Sequence, residues 1–150
     1  MKIRPPFPFA ILLMITGVFT TLPAALAKDR IAGPIPAIVE RVVDGDTVKV
    51  RAKIWLEQEL QVSVRLAGVD APELFRPKCE GEKERARAAK SFVEAFFADG
   101  HTTLFAIERD KYAGRVVARM TNSDGDDLSS AMVDHNHAVR ASRGKWCDAQ

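Results

Sequence analysis

Two hydrophobic alternations joined by a polar turn occupy residues 46–66, DTVKVRAKIWLEQELQVSVRL. Their apolar side chains recur at every second position, as expected of strands with one buried face. These are Val48, Val50, Ala52 and Ile54 in the first alternation, and Leu60, Val62, Val64 and Leu66 in the second. We therefore predict two neighbouring strands, with Arg65 on the face opposite to the core because it lies between Val64 and Leu66.

The rest of the chain predicts three more strands, at residues 37–43, 102–108 and 115–120. Helical spacing over residues 80–98 predicts a helix that ends at Asp99-Gly100, and a short C-terminal helix is expected over residues 128–134. This order is that of a five-stranded antiparallel OB-fold barrel, mainly β with one helix between strands 3 and 4. Closure would remove the exposed strand edges. A mixed two-layer sheet is the alternative.

The first 27 residues have the parts of a secretory signal peptide. Lys2 and Arg4 precede an apolar run, and Ala25-Leu26-Ala27 has the small-x-small pattern of a cleavage site. The alternative is a retained membrane anchor. We expect residues 1–27 to be removed, residues 28–36 to form a loop and residues 37–150 to form one domain. The protein would then be exported, periplasmic or secreted, with no stable membrane association.

The charge of the chain limits the classes of partner. Removing the leader takes Lys2 and Arg4 from the 22 basic residues, which leaves as many basic residues as the 20 acidic ones. A protein that coats nucleic acid needs a broad basic surface, so this class is disfavoured. A site with a few placed arginines remains compatible with the composition, and a monomer is expected.

The two cysteines are Cys79 and Cys147. An even number of cysteines in an exported chain predicts a disulfide between them. A structural zinc site is the weaker alternative, because two cysteines outside a C-x-x-C pair supply too few ligands.

Acidic residues and an arginine occur at the ends of the two central strands. Residues 44–47 are DGDT and residues 65–73 are RLAGVDAPE. Taken singly, Asp-Gly is common in hairpin turns, and Asp70-x-x-Glu73 has the form of a helix-capping box. Carboxylate oxygens beside an arginine, however, suit a hard metal ion and a phosphate.

Together with DKYAGR at residues 110–115, these motifs resemble those of the thermonuclease family, the staphylococcal nuclease-like domains. The resemblance extends from Val39 to about Val139. It implies that Asp46, Asp70 and the backbone carbonyl of Ala71 bind a metal ion. Asp44 would lie outside the ligand shell and orient Asp46 or a metal-bound water. Ligation by oxygen alone suits Ca²⁺, which is also the ion that the resemblance implies.

The resemblance also implies roles in catalysis and substrate binding. Glu73 would activate the attacking water, as the base or by positioning it. Arg65 and Arg115 would hold the scissile phosphate, because guanidinium groups match phosphate geometry. Lys111 and Tyr112 would contact a neighbouring phosphate and nucleoside.

Two departures from the family pattern concern the substrate. Ala113 is an extra residue, so either Tyr112 or Arg115 must shift, and we expect Arg115 to keep its place because it begins a strand. Tyr112 is the only tyrosine, so base stacking would be weaker or pass to another side chain, for which Trp146 is a candidate. A tryptophan beside Cys147 is, however, more often a packing residue. The three histidines form no H-E-x-x-H motif and are expected to be solvated or locally bonded.

The resemblance implies an exported, Ca²⁺-dependent endonuclease that hydrolyses DNA and RNA, preferably single-stranded or melted. Water would attack phosphorus in line, and the 5′-oxygen would leave. The alternative is an OB-fold module that binds nucleic acid or a protein without cleavage. A Ca²⁺-stabilised structural domain would explain the carboxylates but not both arginines.

Overall fold

The computed structural model describes residues 29–140 and 144–147. The expected signal peptide, residues 1–27, lies outside the described residues. Within them the chain forms eight strands and two helices. The strands are β1 (Arg30–Ile31), β2 (Ile35–Asp44), β3 (Thr47–Trp55), β4 (Gln58–Leu66), β5 (Val69–Asp70), β6 (His101–Arg109), β7 (Arg115–Thr121) and β8 (Val139–Arg140). The helices are α1 (Glu80–Phe96) and α2 (Leu128–Asp134).

Five strands close into a barrel in the order β2-β3-β4-β7-β6, with β6 pairing back to β2. The neighbours are antiparallel except for β4 and β7, which run parallel with Val64 opposite Val116. The predicted OB-fold barrel is confirmed, but the expectation of antiparallel pairing throughout is wrong at this pair. An odd number of strands in a closed ring cannot alternate in direction all the way round, so one parallel pair is unavoidable.

The core fills the barrel and the space beneath α1. Val48, Val50 and Val64 are fully buried, and so are Ala89 and Val93 on the inner face of α1. This helix packs against β2 and α2. Both helices occur where the sequence predicts them, because their apolar spacing and caps agree.

The tip of the β3–β4 hairpin, residues 53–60, differs from the prediction. Ile54 is 48% exposed and Leu60 is 51% exposed, although alternation assigns both to the buried face. The reason is the extent of the neighbouring strands. β2 pairs with β3 only as far as Ala52, and β7 pairs with β4 only from Ser63 onward. Beyond these residues, no strand in the described part of the chain flanks the hairpin.

Three short strands are absent from the sequence prediction. β1 lies within residues 28–36, which were expected to form a loop, and it pairs with β6. β5 pairs with β8, which places Asp70 opposite Val139.

The helix-capping interpretation of Asp70-x-x-Glu73 is wrong, because α1 begins only at Glu80. None of the helices in the described residues is long and apolar enough to cross a membrane.

Candidate active site

A cleft of about 790 Å³ opens where the end of β4, the loop after β5 and the β6–β7 turn meet. Most of the site residues expected from the sequence line it: Arg65, Asp70, Ala71, Glu73, Lys111, Tyr112 and Arg115. These residues come from segments far apart in the chain, and the barrel brings them to one surface.

Arg65 joins two of the expected metal ligands. Its Nη1 lies 2.7 Å from Oδ2 of Asp46, and its Nη2 lies 3.4 Å from Oδ1 of Asp70. The register of β3 and β4 explains the first contact, since Thr47 is opposite Arg65 and Asp46 directly precedes Thr47. One guanidinium therefore contacts both carboxylates, one through each Nη group.

Asp46 is a nearly buried carboxylate, 5% exposed. Its Oδ1 accepts a hydrogen bond from the Thr47 hydroxyl at 3.0 Å, and its backbone N–H donates to Oδ1 of Asp44 at 3.2 Å. Burial raises the pKa of Asp46 to about 6, while Arg65 acts in the opposite direction. Because the charged form is unfavourable at this position, a nearby cation would stabilise it.

The donor set fits a hard cation. Asp46 and Asp70 offer carboxylate oxygens, and the Ala71 carbonyl is adjacent in the chain. Across residues 29–140 and 144–147, no group of three or more His, Cys, Asp and Glu side chains is arranged to hold a metal. A Ca²⁺ ion at this position would therefore need water and substrate oxygens to complete its coordination.

The turn that carries these aspartates is held by close packing at Gly45. A Cβ at Gly45 would lie 2.9 Å from the Cβ atoms of both Ala71 and Ala89. Glycine is needed because the turn is wedged between the loop after β5 and helix α1. The sequence indicates only a hairpin turn here, so the packing role of Gly45 is a feature that the pattern does not reveal.

Arg115 begins β7, as expected, and its Nε donates to the Asp110 carboxylate. Burial would raise the pKa of Asp110, but hydrogen bonds from Arg115 and from the Lys111 backbone lower it on balance. The Arg115 guanidinium lies 4.7 Å from the centre of the Tyr112 ring, and Lys111 Nζ lies 4.9 Å from it. With Ala113 present, Tyr112 and Arg115 therefore still share the cleft.

Glu73 is exposed in the cleft, and a second glutamate that sequence reasoning missed supports its loop. Glu82 is 2% exposed. Its carboxyl oxygens accept hydrogen bonds from the backbone N–H groups of Lys78 at 2.6 Å and Glu73 at 3.4 Å. Glu82 lies three residues after the N-cap Cys79, a position at which glutamate often caps a helix. That spacing is the signal that could have indicated its role.

The predicted disulfide between Cys79 and Cys147 is present. It brings residues 144–147 to the cleft, where the Gly144 N–H donates to Oδ2 of Asp70 at 2.9 Å. Trp146 also lines the cleft but is 9% exposed, which agrees with its interpretation as a packing residue.

The histidines lie outside the cleft lining. The rings of His135 and His137 lie against the Phe92 ring at tilted angles, with centres 4.9 and 4.7 Å from its centre. His101 is exposed at the start of β6. Burial lowers the pKa of His137.

Comparison with known protein families identifies a relationship for this chain. A family model described as staphylococcal nuclease homologue matches residues 63–148. This range contains Arg65, Asp70, Glu73 and Arg115, whereas Asp46 precedes it and reaches Arg65 through the fold. No curated protein matches the chain. Members of the family are generally Ca²⁺-dependent nucleases. Since the match covers more than half of the 150 residues, the chain belongs to the staphylococcal nuclease homologue family.

Proposed function

We propose that this protein is an exported, Ca²⁺-dependent endonuclease that hydrolyses DNA and RNA. The observation that carries the proposal is the bridge from Arg65 to Asp46 and Asp70. Arg65 and Asp70 line the same cleft as Glu73 and Arg115, and Asp46 lies behind them, in contact with Arg65. Phosphodiester cleavage needs cation ligands and a phosphate-binding group side by side, and this bridge has both.

Asp46, Asp70 and the Ala71 carbonyl would hold the Ca²⁺ ion. When bound, the ion supplies Lewis-acid polarisation of the phosphate and of a water molecule. Asp44 acts indirectly: its carboxylate accepts the Asp46 N–H and so fixes the turn that presents Asp46.

Arg65 and Arg115 bind the scissile phosphate. Each guanidinium has more N–H donors than its carboxylate contacts use. Arg115 donates to Asp110 through Nε, so its two Nη groups can donate a pair of hydrogen bonds to phosphate oxygens. Negative charge grows on the phosphoryl oxygens in the transition state. Each arginine therefore contributes more there than in the ground state, on the order of 3 kcal/mol.

Glu73 positions the attacking water and accepts its proton as the new P–O bond forms. The bond to the 5′-oxygen breaks in line, and that oxygen leaves with the bonding electrons and acquires a proton. Lys111 contacts a neighbouring phosphate. The Tyr112 ring, 56% exposed, offers a face to an adjoining base, which favours single-stranded or melted substrate.

Export rests on residues 1–27 and agrees with the disulfide, because disulfides persist in oxidising compartments. After removal of the leader the protein would act as a monomer, in the periplasm or outside the cell, without stable attachment to a membrane.

The test is digestion of denatured DNA by the native protein and by Glu73→Gln, each with Ca²⁺ and with a chelator. We expect Glu73→Gln to lose about 10²–10⁴-fold in rate, and the chelator to abolish cleavage by the native protein. Glu94→Gln, at an exposed position on α1, is the matched control and should keep full activity. Equal, chelator-insensitive activity in native protein and Glu73→Gln would refute the mechanism. Tight binding without cleavage would instead identify a binding module.

A further inference from the structure

Residues 144–147 form a short segment, which we call the tethered segment, joined to the start of α1 by the Cys79–Cys147 disulfide. Gly144 and Trp146 line the cleft beside Asp70. Gly144 and Asp70 are 74 residues apart in the chain, so their contact depends on the fold and on the tether.

Gly144 holds one of the two carboxylate oxygens of Asp70. Its N–H donates to Oδ2 at 2.9 Å, whereas Oδ1 lies 3.4 Å from Nη2 of Arg65. The Asp70 carboxylate is thus fixed from two sides. The other contact that orients this carboxylate within residues 29–140 and 144–147 is the longer interaction with Arg65.

Trp146 makes glycine necessary at position 144. A Cβ on Gly144 would lie 2.3–2.6 Å from three atoms of the Trp146 indole. The indole is 9% exposed, so it cannot move aside without losing buried surface. The ring therefore packs directly on the Gly144 backbone and fixes the amide that donates to Asp70.

The other end of the disulfide supports the Glu73 loop. Cys79 is the N-cap of α1, and its Sγ accepts the Glu82 N–H at 3.3 Å. The Glu82 carboxyl group in turn accepts the N–H groups of Lys78 and Glu73. One covalent bond thus connects the segment that holds Asp70 with the helix start that supports the loop of Glu73.

We infer that the tethered segment is a positioning element of the active site: Gly144 orients Asp70 toward Ca²⁺, and the disulfide keeps Gly144 in place. The inference rests on the proposed function. It makes Ca²⁺ affinity and cleavage depend on oxidised cysteines, which restricts full activity to compartments where disulfides persist.

The first test compares Gly144→Ala with Gly81→Ala. Gly81 lies in α1, and a Cβ added there would meet no neighbouring atom outside the helix backbone within 4 Å, so alanine is harmless at this position. Calorimetry without substrate should show Ca²⁺ binding about tenfold weaker in Gly144→Ala and unchanged in Gly81→Ala. Cleavage by Gly144→Ala should fall most at limiting Ca²⁺ and recover in part at high Ca²⁺.

The second test replaces both cysteines by serine, Cys79→Ser with Cys147→Ser. Serine is a good N-cap, so the start of α1 keeps a capping acceptor while the tether is lost. Ca²⁺ affinity should again fall about tenfold. Reductant should lower the Ca²⁺ affinity of the native protein to that of the serine variant, and it should leave the affinity of the serine variant unchanged. Val50→Ala, a core change in β3, controls for stability: its melting temperature should fall while its Ca²⁺ affinity stays the same.

The outcomes separate the two proposals. Native protein that binds Ca²⁺ and cleaves DNA, with Gly144→Ala and the serine variant equal to it, overturns the inference alone. Native protein that neither binds Ca²⁺ nor cleaves overturns the proposed function and the inference with it. If Gly144→Ala does not fold, the serine variant decides the question.

Discussion

The two ends of the β3–β4 hairpin have the same alternating sequence and very different surroundings. At the end near the cleft, Val48, Val64 and Leu66 are at most 1% exposed, because β2 and β7 flank the hairpin there. At the tip, Ile54 and Leu60 are about half exposed, because neither neighbour reaches them. Alternation therefore assigns residues to faces of a strand, but burial depends on how far the adjacent strands extend.

The residue of this hairpin that we propose to bind phosphate, Arg65, lies at the enclosed end. Arg65 follows Val64 in the part of β4 that pairs on both sides, with β3 and with β7. A side chain on such a strand is held by packing in its neighbourhood, which is what a phosphate-binding group needs in order to meet the transition state without reorganisation. The hairpin tip, with Trp55 70% exposed, lacks this support.

Among changes in the β3–β4 hairpin, the largest expected effect comes from removing Arg65 at the enclosed end. Arg65→Ala should lower kcat/KM for denatured DNA by about 10²–10³-fold, because the phosphate loses a guanidinium that stabilises developing charge. Trp55→Ala, at the opposite end, should keep the native rate. Steady-state cleavage assays at saturating Ca²⁺ check both. Comparable losses of activity in the two variants would contradict the expectation that the enclosed end of the hairpin contributes to cleavage and the tip does not.

A matched pair on β4 tests the difference in burial directly. Leu66→Ala should lower the free energy of unfolding by about 3 kcal/mol, because a fully buried leucine leaves a cavity. Leu60→Ala, at the half-exposed tip, should cost less than about 1 kcal/mol. Urea unfolding followed by circular dichroism measures both changes. Equal values would mean that the tip is covered in solution.

The sequence predicts the strands and helices of this fold well and the contacts between distant segments less well. Periodicity locates β3, β4 and α1, since each buries one face in a regular pattern. The capping aspartate that precedes Leu128 locates α2. It does not predict the contact of Gly144 with Asp70, because a backbone N–H donor leaves no mark in the sequence. For the support of Glu73 by Glu82, the capping spacing from Cys79 is a sign of the helix start but not of the loop that Glu82 holds. It also does not reveal where a strand extends beyond its neighbours, as β4 does at the half-exposed Leu60.

The two turns that flank β3 offer the next comparison. At the enclosed end, Gly45→Ala should destabilise the protein by about 1–3 kcal/mol, because the added Cβ meets Ala71 and Ala89 at 2.9 Å. Thermal unfolding of Gly45→Ala beside Gly81→Ala gives the measurement, the second variant being the control for alanine in open space. If the two variants have the same melting temperature, the turn is not packed tightly against α1.

At the hairpin tip, a substitution in the turn should raise the free energy of unfolding, and this is the smallest change that we expect. Glu57 has a backbone φ of 60°, a left-handed conformation that costs a residue with a Cβ about 1 kcal/mol. Glu57→Gly removes this strain, although glycine also gains entropy in the unfolded chain. We expect a net stabilisation below about 1 kcal/mol, measured by urea unfolding, with cleavage unchanged. A loss of stability would mean that Glu57 makes interactions at the tip worth more than its backbone strain, and the tip would then be less independent of the barrel than its exposure indicates.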